Sequence, residues 1–87
     1  MEKPFELKIY TPEKTIFEGH AFSLCVPTES GFIGILANHA PLMTMLVAGK
    51  ITFRDSSLRL NTIYSKEKGF FETLNNKMTI LLDLVNE

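Results

Sequence analysis

The sequence predicts an all-β fold, a small antiparallel β-sandwich of about eight to ten short strands. Three observations carry that reading. Apolar and polar residues alternate with period two in one run after another, the spacing at which a strand buries one face. Turn residues separate these runs every ~8–12 residues. Seven Phe, seven Ile and three Val stand in a chain that is 45% apolar, residue types that fit a pleated, half-buried surface. The 87 residues make one domain, 1–87, near the size at which a single core becomes marginal without partners.

The elements follow in order. Phe5, Leu7 and Ile9 face one way and Glu6, Lys8 and Tyr10 the other, until Thr11-Pro12 ends the run. Ile16 and Phe17 lie in a second short run that Gly19 stops. Phe22, Leu24 and Val26 alternate with Ala21, Ser23 and Cys25 up to Pro27. Gly31 to Leu42, GFIGILANHAPL, reads as a short strand, a tight corner and a rigid restart, because Pro41 lacks a backbone N–H and pushes Ala40 toward extended geometry. Leu42 to Val47 is a further run, broken at Ala48-Gly49, and Ile51 and Phe53 then alternate with Lys50, Thr52 and Arg54. Asp55-Ser56-Ser57 is a turn, after which Leu58, Leu60, Thr62 and Tyr64 line one face. Lys66-Glu67-Lys68-Gly69 punctuates, and Phe70 to Leu74 follows. Asn75-Asn76 then makes a hairpin turn into Met78, Ile80, Leu82 and Leu84. Met78, Leu81, Leu82 and Val85 also fit helical spacing; the turn and the β-branched Thr79-Ile80 favour a strand.

Charge and cysteine content narrow the function. A net charge of −1 offers no electrostatic footprint for nucleic acid or an anionic membrane. Cys25 is the single cysteine and has no internal disulfide partner, which fits a reducing compartment. MEKPFELKIY lacks a signal peptide's apolar run, and no stretch approaches the ~18–20 apolar residues of a membrane span. The expectation is an intracellular, soluble chain.

Certain motifs cluster in the manner of a known family. Thr11-Pro12-Glu13-Lys14 closes the first run, followed by Phe17-Glu18-Gly19, by Val26 with Gly31 and Gly34, and by Asn38-His39-Ala40-Pro41-Leu42. Gly69-Phe70-Phe71-Glu72 and Asn76-Lys77-Met78-Thr79-Ile80-Leu81 continue the pattern. Together they resemble the epsilon subunit of the rotary F-type ATP synthase over essentially the whole chain. Three positions depart from it. Ala37-Asn38 replaces Pro-Gly, which Asn tolerates because it adopts left-handed geometry. Lys68-Gly69 replaces a Gly pair, and Phe32 stands where an acidic loop residue is often found.

The resemblance implies a non-catalytic rotor subunit at the foot of the central stalk. It would lie against the gamma subunit and the polar loops of the c-ring, and help couple proton or sodium flow to ATP synthesis. Thr11, His39 and Thr44 are the candidates it gives for the gamma side, and Glu29, Ser30, Gly31 and Phe32 for the ring. It implies no cofactor, no nucleic-acid partner and membrane contact only through the complex, at the cytoplasmic face of a bacterial inner membrane. Longer members continue into a C-terminal helical hairpin. The sequence stops at Glu87, so the expectation is either a sandwich-only member or the sandwich domain of a longer one taken alone, binding no nucleotide in this form.

Other chemistry is poorly supported. His39 fits a corner histidine bonded to backbone as well as a partner contact, and nothing specifies the nucleophile or orienting carboxylate that catalysis needs. His20, His39 and Cys25 lack zinc-ligand spacing. Gly31-x-x-Gly34 is not a phosphate-cradling loop. Leu42 to Leu46 is apolar on both faces, which suits either a strand buried between layers or an edge with exposed methionines. One of Phe70 and Phe71 must lie outside the main core, because adjacent strand residues face opposite ways. The alternative function is a small β-barrel carrier or binding module. Against a biotinyl or lipoyl carrier, Lys77-Met78 has the wrong order for the modified Met-Lys hairpin.

Overall fold

The first strand sets the frame. Phe5, Leu7 and Ile9 are buried and Glu6 and Lys8 exposed in β1 (Phe5–Tyr10). The computed structural model describes residues 3–83 and the backbone of 85–86, and every regular element among them is a strand. After β1 come β2 (Thr15–Thr28), β3 (Gly31–Ile35), β4 (Leu42–Leu46), β5 (Gly49–Asp55) and β6 (Leu60–Ser65). They are followed by β7 (Gly69–Leu74), β8 (Lys77–Leu82) and β9 (Val85–Asn86).

The strands form one sheet that β2 folds into two layers. Its first half pairs with β1 in a layer ordered β4-β7-β8-β1-β2, and its second half pairs with β3 and β5, with β6 and β9 beyond. Between the layers lie Phe5, Leu7, Ile9, Leu24, Val26, Ile35, Ile51, Phe53, Phe71 and Ile80, all buried. Truncating such a side chain to alanine costs roughly 2–5 kcal/mol. All pairings among the described residues are antiparallel except β1 with β8, which run parallel.

Two expected strand breaks are absent. Gly19 does not stop a run and Pro27 does not end one; both lie inside the 14-residue β2. Gly19 pairs with Leu7, and its bare Cα accommodates the Phe17 ring, which would stand 3.3 Å from an added Cβ. Pro27 pairs with Phe32 and needs no N–H there, while its carbonyl accepts the Val47 N–H at 3.0 Å. A register shift between Ala21 and Ser23 reverses the alternation, so Ala21 is buried and Phe22 only half-buried.

Other expectations hold. Asn75 and Asn76 have φ of 51° and 62°, the left-handed pair of a two-residue hairpin, with Leu74 opposite Lys77. The last run is a strand, not a helix; Leu84 lies outside the described residues. Phe71 is buried and Phe70 half-exposed. Leu58, Leu60, Thr62 and Tyr64 do share a side, but it is the solvent side, while Ile63 and Ser65 turn inward.

Candidate partner-binding surface

The β2–β3 hairpin has a rigid tip. Thr28 and Gly31 close it as a pair; the Thr28 hydroxyl donates to the Gly31 carbonyl at 2.7 Å and accepts the Ser30 N–H at 3.3 Å. Gly31 has φ of 115°, which side-chain-bearing residues rarely adopt. Glu29 and Ser30 are thereby fixed at the exposed apex. Phe32 follows at 61% exposure on the outer side of β3, so it does not belong to the core.

Beside this tip runs β4, an edge strand whose ladder partner is β7. Leu46 is buried, Leu42 and Thr44 are half-buried, and Met43 and Met45 are 63% and 52% exposed. The apolar run is thus an edge with its methionines outward. Tip and edge enclose a groove of about 470 Å³, lined by Thr28, Glu29, Ser30, Met43, Thr44 and Met45, with Phe70 behind. Thioether side chains with three rotatable bonds adapt to irregular partner surfaces, and an exposed apolar cluster of this kind marks an interface.

Among the sequence candidates, Glu29, Ser30 and Thr44 meet in this groove, and Gly31 shapes its rim. Phe32 lies on the same hairpin but points over the second layer. Thr11 is elsewhere, three strands from β4 or about 14 Å across the sheet. It is buried, and its hydroxyl accepts the N–H groups of Glu13 at 3.3 Å and Lys14 at 3.2 Å, holding the turn after β1. His39 is half-buried before β4. Its Nδ1–H donates to the Ala40 carbonyl at 2.7 Å, which places the proton on Nδ1 because a carbonyl only accepts. Sequence reasoning gave no role to Leu36, Leu58, Leu60 and Tyr64, all exposed on the second layer. Alternation groups Leu58, Leu60 and Tyr64 on one side, yet it does not say which side faces water.

No group of three or more His, Cys, Asp or Glu side chains converges among the described residues. Asp55, away from the groove, has its carboxyl held below the usual carboxylate range. The Asn61 side-chain amide donates to it at 3.0 Å, desolvation opposes this, and the N–H groups of Arg59 and Ser57 add their hydrogen bonds.

The family described as "ATP synthase, Delta/Epsilon chain, beta-sandwich domain" matches residues 4–86. The chain belongs to that family. An ATP synthase epsilon chain of Chloroflexus aggregans is 39% identical over 82 residues, covering 94% of this chain and 58% of the relative. One from Leptospira borgpetersenii is 42% identical over 77 residues, covering 88% of this chain and 59% of the relative. The chain thus spans less than two thirds of the length of these relatives. An epsilon chain of Chlorobium limicola is matched over nearly its full length: 35% identity over 85 residues, 98% of this chain and 96% of the relative. A chain in a structure of the Euglena gracilis mitochondrial ATP synthase, comprising OSCP, F1 and c-ring, shares the fold. Its TM-score is 0.84 at 16% identity, covering 92% of this chain and 51% of that one. No helix among the described residues is long and apolar enough to cross a membrane.

Proposed function

We propose that this chain is an epsilon-type stalk subunit of an F-type ATP synthase, docked on gamma through the β4 edge and on the polar loops of the c-ring through the Glu29–Phe32 tip. It carries no chemistry of its own. As a rigid two-layer block between shaft and ring, it helps transmit rotation between ion flow and the catalytic head. The observation that carries this reading is the pair of exposed methionines on the edge strand beside a braced hairpin tip, in the sandwich of a family whose members are named ATP synthase epsilon chain. Thr11 and His39 act there by fixing the turns at either end of the first layer. Phe32, exposed at the tip, makes the ring contact apolar where an acidic residue would make it ionic. The subunit sits at the cytoplasmic face of a bacterial inner membrane, held there by the complex.

Reconstitution of the complete enzyme with and without the chain tests the role. Omission should abolish ion-driven ATP synthesis while the detached catalytic head still hydrolyses ATP. Undiminished coupled synthesis without the chain would overturn the proposal.

A further inference from the structure

The hairpin turn between β7 and β8 fixes which backbone groups of β4 point out of the sheet. Leu74 and Lys77 flank the two-residue Asn75-Asn76 turn and so exchange both of their backbone hydrogen bonds. Successive residues of a strand turn N–H and C=O to opposite sides, so Gly69, Phe71 and Thr73 turn theirs toward β4. Their partners Leu46, Thr44 and Leu42 are bonded to them, and Met43 and Met45 aim N–H and C=O away from the sheet edge. Two neighbours agree with that phase. Val47 sends its N–H to the Pro27 carbonyl at 3.0 Å, and Pro41 has no N–H to send. The free stretch of edge therefore lies at Met43 and Met45. Apart from a 3.4 Å contact from the Thr44 hydroxyl to the Met45 carbonyl, its backbone groups have no partner among the described residues.

This edge lacks the usual protections and reads the same in both directions. A charge, an internal proline or a bulge normally keeps an exposed edge from pairing with another chain. Leu42 to Leu46 has no charge and no proline, and its register with β7 is unbroken. The strand sequence, Leu-Met-Thr-Met-Leu, is a palindrome about Thr44. Two copies laid antiparallel about that residue set Leu42 against Leu46, Met43 against Met45 and Thr44 against Thr44. The outward groups of the methionines then exchange hydrogen bonds in two pairs, with the Thr44 pair between them. All the methionine side chains of the two edges fall on the side of Phe70, the register partner of Met45.

We propose that the free chain forms a two-fold dimer by antiparallel pairing of β4 with β4 of a second copy, centred on Thr44. Strand addition suits this edge because it supplies unpaired backbone groups. The contact is isologous, so pairing uses both edges at once and closes instead of growing into a fibre. Five residues a side are far fewer than the ~20–30 of a stable complex, so the dimer is weak. It covers the edge proposed above for gamma, and the two associations exclude each other. The inference concerns the chain without gamma and does not rest on that docking.

Sedimentation equilibrium of the isolated chain tests the dimer. By mass action, a dissociation constant near ~0.1 mM puts about four-fifths of the chain in dimers at ~1 mM and about one-seventh at ~0.01 mM. Charge placement at the exposed methionines then checks the register. Met43→Glu with Met45→Glu sets like charges opposite each other and should leave a monomer. Met43→Lys with Met45→Glu sets opposite charges together and should keep the dimer. Thr44→Cys, in a Cys25→Ser background, faces its own copy across a non-hydrogen-bonded pair with Cα atoms ~4.5 Å apart, a span that a disulfide accommodates. Mild oxidation should link it faster than Met43→Cys in the same background, which lies out of register with its own copy. If the cysteine variants misfold, the mass of the parent and of the two charge variants carries the test. A parent that stays monomeric throughout this range, a double-glutamate variant that associates like the parent, a Lys/Glu variant that does not associate, or linkage at position 44 no faster than at 43 would overturn the proposal.

Discussion

The side-chain carbonyl of Asn76 accepts the backbone N–H of Asn38 at 2.7 Å, across 38 residues of sequence. The Asn76 amide nitrogen also donates to the Pro4 carbonyl at 3.1 Å, and the Asn76 backbone carbonyl accepts the Glu6 N–H at 3.1 Å. One hairpin residue therefore ties the start of β1, the corner before β4 and the β7–β8 turn into a single end of the sandwich. Asn38 itself has φ of 62°, so the corner that leads into the β4 edge is set by two left-handed asparagines.

Asn76→Gly keeps the turn geometry and removes both side-chain bonds. It should cost about 1–3 kcal/mol, at roughly 0.5–1.5 kcal/mol per bond, and lower the melting temperature by about 4–24 °C. Asn38→Gly retains the donor, which is backbone, and suits the positive φ, so its melt should stay within about 0.5 kcal/mol of the parent. Thermal denaturation of the two variants checks this; equal losses would show that the two Asn76 side-chain bonds contribute nothing to stability.

Thr73 predicts a gain. It is 1% exposed on the inner side of β7, and its hydroxyl has no hydrogen-bond partner among the described residues. Thr73→Val replaces that hydroxyl with a methyl of similar shape and should stabilise the fold by about 1 kcal/mol or more, since an unsatisfied buried polar group costs about 1–3 kcal/mol. Urea midpoints of the two proteins decide it, with an unchanged slope showing that the unfolded state is the same.

Asp55 predicts a pH dependence. Its folded pKa lies below the ordinary carboxylate value of 3.8, so its contribution is present above that value and is lost as pH falls through the lower, folded pKa. Asn61→Ala removes the leading cause and should raise the Asp55 pKa, followed by NMR titration of its carboxyl carbon. An unmoved titration would assign the shift to the Arg59 and Ser57 N–H groups instead.

Much of this molecule was legible in its sequence, for identifiable reasons. Period-two alternation gave β1, β5 and β8 with their buried sides, because each packs one face on the core. The Asn75-Asn76 turn was legible because few other dipeptides adopt two left-handed conformations in succession. The long β2 was not: Gly19 and Pro27 are strand breakers by local chemistry, yet tertiary context uses a missing Cβ for the Phe17 ring and a missing N–H opposite Phe32. For the same reason the shift at Ala21 was hidden, since a bulge changes the side of every later residue without changing composition. At the candidate surface, the tip and Thr44 were named from a family pattern. Exposure of Met43 and Met45 depends on which face of β4 turns away from the core, and an apolar run without alternation does not say which.

Phe32→Glu separates surface from core at the hairpin tip. With the ring 61% exposed, the melt should shift by no more than about 0.5 kcal/mol, while coupling of ion flow to ATP synthesis in the reconstituted enzyme changes. A collapse in melting temperature would place the ring in the core and remove it from the contact.

Binding to the cognate gamma subunit tests the central claim most directly, measured by gel filtration of the parent chain and of the Met43→Glu, Met45→Glu double variant, each at low salt and at ~1 M salt, where the Debye length is about 3 Å. The account predicts a one-to-one complex of the parent that survives high salt, and a double variant that melts normally but elutes alone. A double variant that binds as well as the parent, or a parent complex that salt dissociates, would contradict it.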